Sequence, residues 1–230
     1  DDRVVGFARR TWLTPRVAWF EGLRADPTAR GRGVGRAITE YLIESARDAG
    51  AARIALSTYV DNHASIHLLE SFGFQRVASF SYRRRSADAP AYGDAHPAPI
   101  VPVSEDETIA FVGASSFLDL AERRFPRGWR FAPFDDDPQA AVARLELRLG
   151  WYEQGALTAL LCARWAPGGG STETVFNFLD GTPRRLRGVL TYALDRYAGT
   201  PIDMMVPVSG GQTAVAGSLL DEVGFTAPAG

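Results

Sequence analysis

Seven consecutive residues, Arg30-Gly31-Arg32-Gly33-Val34-Gly35-Arg36, interleave three glycines with cationic side chains between an extended apolar stretch and a segment of helical spacing. Glycine lets the backbone approach a ligand closely. Successive N–H groups at a helix start, reinforced by the helix dipole and by Arg30, Arg32 and Arg36, suit an anion such as pyrophosphate. Neither common nucleotide motif fits: the spacing is not Gly-x-Gly-x-x-Gly, and Gly-Lys-Ser/Thr is impossible because all 25 basic residues are arginine. Upstream, Glu21 stands four residues before Ala25, on what an unbroken strand would make the same face. It reads either as a general base or as a half-exposed strand carboxylate. His63 and His67 flank a helical segment and read as solvated histidines. Trp12, Trp19, Phe20, Tyr59 and Tyr82 serve equally as the lining of an acceptor pocket or as core. The runs Arg83-Arg84-Arg85 and Asp135-Asp136-Asp137 read as solvated charge.

The elements that must position these groups follow from periodicity. Val4 to Thr11 and Val17 to Ala25 are rich in Val, Phe and Trp, with Leu13-Thr14-Pro15-Arg16 as a turn, so two paired strands are predicted. After the glycine-rich loop, Ile38, Tyr41, Leu42 and Ala46 recur every three to four residues up to Gly50 and predict a helix. Arg53 to Val60 predicts a strand. A helix carrying Ile66, Leu69 and Phe72 then stops at Gly73, and Phe74 to Tyr82 closes the unit as a strand. Prolines 90, 97, 99 and 102 mark residues 86–104 as a linker. Beyond it, Thr108 to Arg124 has helical spacing, Leu145 to Tyr152 and Ala156 to Trp165 predict a hairpin, and Thr174 to Leu179 a further strand.

The chain also repeats itself. Val4 to Trp12 resembles Leu157 to Trp165, Leu68 to Phe74 resembles Leu219 to Phe225, and Arg30-Gly31-Arg32-Gly33 faces Arg185-Leu186-Arg187-Gly188, all at nearly one offset. Two domains are predicted, residues 1–85 and 105–230. In the second, Leu190 replaces Gly35 and Pro183 removes an N–H, so that copy is expected to be degenerate. The counterpart of Asn62 falls within Val208-Ser209-Gly210-Gly211-Gln212 without a clear match.

Leu23 to Phe74 resembles the acetyl-coenzyme A binding core of the GNAT superfamily of N-acetyltransferases. Arg30, Gly33 and Gly35 match that family's Arg/Gln-x-x-Gly-x-Gly/Ala loop, and Asn62 and Gly73-Phe74 its downstream Asn and helix-ending Gly-Phe. The resemblance implies an α/β (α+β) fold, a mixed central sheet with helices on both faces, duplicated here. It implies that Leu23, Arg24, Ala25, Arg30, Gly31, Arg32, Gly33, Val34, Gly35, Arg36 and Asn62 bind acetyl-CoA as cosubstrate. The reaction it implies is direct attack of an amine on the thioester, for which Glu21, by its place on the strand, is the candidate base. Two departures stand out: Leu69 occupies the position of the family's tyrosine general acid, and the family's first elements have no counterpart ahead of Asp1. Leu69 keeps a noncatalytic acyl-CoA sensor or an interaction scaffold open as the alternative.

Bulk properties narrow the classes further. The chain has 230 residues, 46% hydrophobic and 23% charged, which suits a folded core. A formal net charge of -2 gives no general attraction to nucleic acid or anionic membrane. One cysteine and three histidines make a metal centre improbable. No apolar run spans a bilayer and no leader opens the chain, so a cytoplasmic protein is expected, acting on a small-molecule or peptide amine and open to homodimerisation.

Overall fold

A computed structural model describes residues 3–91, 100–168, 171–209, 212–213 and 216–227. It divides into two compact units, Asp1–Arg76 and Val77–Gly230.

In the first unit, β1 (Gly6–Thr14) pairs antiparallel with β2 (Val17–Ala25) from Gly6↔Ala25 to Thr14↔Val17. The helix α1 (Val34–Asp48) leads to β3 (Arg53–Leu56), which lies parallel to β2 from Val17↔Arg53 to Phe20↔Leu56, and α2 (His63–Glu70) follows. Ala18 and Phe20 bury one face of β2 against Ile43 and Ala46 of α1. Burial of a side chain such as Phe20 or Ile43 contributes about 1.5–3 kcal/mol. Gly73 ends the second helical segment at φ +84, with the Phe74 N–H donating to Leu69 O at 3.2 Å, so the predicted left-handed stop is present.

The second unit opens with β4 (Ser79–Arg85) and β5 (Ile100–Pro102), followed by α3 (Glu105–Gly113), α4 (Ser116–Leu120), β6 (Arg124–Pro126), β7 (Phe131–Pro133) and α5 (Pro138–Val142). Next come β8 (Leu147–Glu153), β9 (Ala156–Gly168), β10 (Ser171–Gly181), α6 (Pro183–Arg196), β11 (Ile202–Ser209), β12 (Gln212–Thr213) and α7 (Ala216–Glu222). The main sheet runs β12-β11-β10-β9-β8-β5, antiparallel except for β10 beside β11. Helices cover both faces. Trp151 pairs with Ala159 and Phe178 with Cys162, three residues apart on β9 and therefore on opposite faces. Gly188 of α6 lies against the Trp151 ring, while Phe117 of α4 and Phe111 of α3 meet Phe178.

Several expectations shift. The strand after α2 spans Ser79–Arg85 and pairs antiparallel with β11, from Ser79↔Val208 to Arg85↔Ile202, so the compact division falls at residue 76 and not at 85. The predicted linker 86–104 already contains β5, paired with β8 through Val101↔Gly150; residues 92–99 lie outside the described set. Arg85 is not solvated: it is 1% exposed, and its Nε donates to Val223 O at 3.0 Å. Asp137 caps α5 by accepting from the Ala140 N–H at 2.8 Å, and Asp135 pairs with Arg123. The repeat anchor at the chain end holds: Gly224 has φ +84 and the Phe225 N–H donates to Leu220 O at 2.9 Å, the geometry of Gly73-Phe74.

Candidate functional site

The strand β2 outruns its parallel neighbour. Pairing with β3 stops at Phe20↔Leu56, whereas pairing with β1 continues to Ala25. Between Arg9↔Glu21 and Phe7↔Arg24 the register shifts: β2 places Gly22 and Leu23 opposite the single residue Ala8, with Gly22 at φ +68. This bulge bends β2 where β3 leaves it. From Glu21 to Ala25, one edge of β2 therefore lies beyond the β3 ladder. The bulge also corrects the face reading: Arg9 and Phe7 share a face of β1, so Glu21 shares its face with Arg24, not with Ala25.

Glu21 is engaged. The Arg9 Nε donates to Glu21 Oε1 at 2.7 Å, and Arg9 Nη2 lies 2.6 Å from the same oxygen.

Asp26 organises the passage from strand to loop. Its N–H donates to Val5 O at 2.8 Å, and its Oδ1 accepts from both the N–H (2.8 Å) and the hydroxyl (2.6 Å) of Thr28, capping the short helical turn Pro27–Ala29. The Thr28 hydroxyl and N–H, and then Arg3, hold the Asp26 carboxyl below the ordinary carboxylate range.

Gly31 (φ +75) and Gly33 (φ +79) then take left-handed conformations, and a Cβ added to either would meet nothing within 4 Å. Gly33 is the N-cap of α1, which carries no side-chain cap. The first N–H groups of α1, at Val34, Gly35 and Arg36, consequently point from an uncapped helix start into open space framed by two glycines. Arg30 and Arg32 are exposed beside it. The predicted loop is thus a backbone cradle, and it fits a pyrophosphate-bearing cofactor.

Gly35 has a different part. It lies inside α1, and an added Cβ would make an ordinary 3.5 Å contact with Leu68 Cδ2, so the seam between α1 and α2 has room there for an alanine but not for a large side chain. Arg36 also turns to the segment after α2, donating to Ser71 Oγ at 3.0 Å and lying 5.0 Å over the Phe72 ring. Arg24 Nη1 donates to Leu23 O at 2.9 Å. Asn62 caps α2, its Oδ1 accepting from the Ser65 N–H at 3.3 Å. Trp19 and Phe20 are core, while Trp12 and Tyr59 are exposed, so these aromatics do not form one pocket.

Sequence reasoning missed Gly6, Gly22 and Asp26. An added Cβ at Gly6 would stand 2.8 Å from Val34 Cγ1 and 2.9 Å from Arg24 O, so Gly6 lets β1 pass under the first turn of α1. A lone glycine inside each strand, and Asp-Pro-Thr after the second, were the available signals.

Among the described residues of the second unit, the aligned segment takes another form. Thr182 joins β10 directly to α6, whose first turn contains Arg185 and whose buried face carries Leu186 and Leu190. The proposed counterpart Arg185-Leu186-Arg187-Gly188 is helical, so Leu190 is a core residue and not a blocked phosphate contact. Of the Asn62 counterpart, Gly210 and Gly211 lie outside the described residues.

Residues 1–74 match the Acetyltransferase (GNAT) family. Over this segment the chain is similar to the GNAT acetyltransferases. A [ribosomal protein bS18]-alanine N-acetyltransferase of Salmonella typhimurium is 34% identical over 77 residues, covering 34% of this chain and 51% of that one. The chain spans between about a fifth and a half of the curated relatives it matches. Two solved structures share the fold over nearly its whole length. A GCN5-related N-acetyltransferase from Sphaerobacter thermophilus is 15% identical, with TM-score 0.66 over 97% of this chain and 74% of that one. A tandem GNAT protein from the clavulanic acid biosynthesis pathway is 14% identical, with TM-score 0.58 over 98% and 76%. Among the described residues no helix is long and apolar enough to cross a membrane, and no group of acidic, His and Cys side chains could hold a metal.

Proposed function

We propose that this chain is a GNAT-type cytoplasmic N-acyltransferase that moves an acetyl group from acetyl-CoA to an amine of a small molecule or peptide. The observation that carries this reading is the uncapped start of α1 behind Gly31 and Gly33, placed where β2 outruns β3. The N–H groups of Val34 to Arg36 would hold the pyrophosphate, with Arg30 and Arg32 as counter-charge. The edge of β2 from Leu23 to Ala25, beyond the β3 ladder, would pair with the pantetheine amides. The amine nitrogen bonds to the thioester carbonyl carbon as the C–S bond breaks; sulfur leaves with its electron pair, and the amine gives up one proton. Glu21 is the acceptor we propose for that proton, reached by loosening the Arg9 contact. Asn62 is proposed to combine capping of α2 with a contact to the cofactor.

A second reading, a noncatalytic acyl-CoA binder, is favoured by Leu69, which has no proton to give, and by the pairing of Glu21 with Arg9. Incubation of the full chain with acetyl-CoA and a panel of amines, monitored by thiol release, separates the two. Amine-dependent release is expected. Tight coenzyme A binding without release for any amine would favour the second reading.

A further inference from the structure

The ion pair of Arg9 with Glu21 stands where β2 parts from β3. The two residues lie directly opposite each other across β1 and β2, just past the last pairing of β2 with β3 at Phe20↔Leu56 and beside the bulge at Gly22. Arg9 reaches across with Nε and Nη2, both onto Glu21 Oε1, at 2.7 and 2.6 Å. Its side chain is nonetheless 67% exposed, against 22% for Glu21. The carboxylate is the sheltered partner, and the guanidinium is the one that solvent reaches. Next on the same face come Phe7, which is exposed, and opposite it Arg24, whose Nη1 donates to Leu23 O at 2.9 Å.

An amine that reaches Glu21 must take the carboxylate from Arg9. A bare ammonium would deprive that guanidinium of its anion and add positive charge to a face that already carries Arg24, which like-charge repulsion opposes. An amine that brings its own carboxylate exchanges into the pair instead: its anion takes the Arg9 fork, its ammonium takes Glu21, and the charges stay matched. Exposed ion pairs are weakly held, so the exchange costs little. Because Arg9 and Glu21 face each other and already touch, the two charges of the ligand must be adjacent within it, as they are in an α-amino acid.

We propose that Arg9 is a specificity-determining residue of the acetyl-transfer site and that the acceptor is an α-amino acid, bound as a zwitterion between the Arg9 guanidinium and the Glu21 carboxylate. This assignment rests on the acetyl-transfer reading. The ammonium gives one proton to water on entry. Its neutral nitrogen then bonds to the thioester carbonyl carbon as sulfur leaves with the C–S electron pair, and Glu21 takes the second proton. The exposed Phe7 ring offers a contact to the amino acid's own side chain.

The test compares thiol release by the full chain from acetyl-CoA with L-alanine and L-phenylalanine against their amides, alaninamide and phenylalaninamide. An amino-acid amide has the less basic amine and is more often neutral, so intrinsic reactivity favours the amide and a preference for the acid reports its carboxylate. A KM about ten- to a hundredfold lower for at least one acid than for its amide is expected, the size of a charge-assisted contact. Arg9→Gln should narrow that ratio to within about threefold, and Arg9→Lys, which keeps the charge but loses the fork, should fall between. Transfer to the amides with a KM equal to or below that of the acids would overturn the zwitterion assignment and leave acetyl transfer standing, as would release with other amines but with neither acid. An acid preference kept in Arg9→Gln would overturn the role of Arg9. Release with no amine at all would overturn the acetyl-transfer reading, and this assignment with it.

Discussion

Gly33 and Gly35 look equivalent in the sequence and are not equivalent in the structure, and the difference can be measured. Gly33 sits at φ +79, ψ 6 with no atom near its missing Cβ, so Gly33→Ala meets no clash but forces an L-residue into the left-handed region. That costs about 1–2 kcal/mol. If the cost falls wholly on the ligand-competent loop, coenzyme A affinity drops by about five- to thirty-fold, at about 1.4 kcal/mol per factor of ten. Gly35 is helical, and its added Cβ would make an ordinary 3.5 Å contact with Leu68. Gly35→Ala should therefore leave affinity within a few-fold and stabilise α1 by up to about 1 kcal/mol. Gly35→Leu would wedge α1 from α2, acting through packing and not by filling the phosphate approach. Titration calorimetry with coenzyme A, paired with urea melts of the same variants, reads both quantities. Affinity in Gly33→Ala within twofold of wild type, or a tenfold loss in Gly35→Ala, would refute the assignment of the cradle to Gly33.

Glu21→Gln is expected to lower the turnover rate about 100- to 10,000-fold with the fold intact, as for removal of a positioned base; an unchanged rate and pH profile would leave Glu21 only its ion pair with Arg9. Asn62→Ala should cost about 1 kcal/mol in urea melts through loss of the α2 cap, and a fall in coenzyme A affinity beyond that shown by a Ser65→Pro control would add the proposed cofactor contact. Cys162 is completely buried and its thiol is pushed far above its ordinary value by desolvation, so a thiol-reactive dye should label it only at the rate of global unfolding.

The strands, helices and glycine stops of the first unit were legible because each rests on local periodicity: Ile38, Leu42 and Ala46 pattern α1, and Gly73 stops the segment after α2. The left-handed turns at Gly31 and Gly33 were legible for the same reason, since such conformations leave a mark in composition. The role of Gly35 was not, because it depends on Leu68, 33 positions away. The bulge at Gly22 was visible only as a lone glycine, yet it decides that Glu21 faces with Arg24. The alignment of Arg185-Leu186-Arg187-Gly188 with the loop failed because matching letters hid a change of element: β10 enters α6 through one residue, and the core claims Leu186 and Leu190. Arg83-Arg84-Arg85 misled in another way. A charge run on a strand alternates sides, and the side facing Val223 is interior.

The pairing of β4 with β11 has a consequence for biosynthesis. A strand that leaves the ribosome soon after α2 finds its hydrogen-bonding partner only when β11 emerges, more than a hundred residues later. At about 5–20 residues per second, roughly ten seconds pass in which Ser79–Arg85 has backbone donors and acceptors and no ladder to join. The alternation of Phe80 and Tyr82 with serine and arginine, ending in Arg83-Arg84-Arg85, places charge on the waiting segment, which discourages pairing with a neighbouring nascent chain. The arginines that later bury or pair one by one against α7 and β11 thus also guard the segment before it has a sheet to enter.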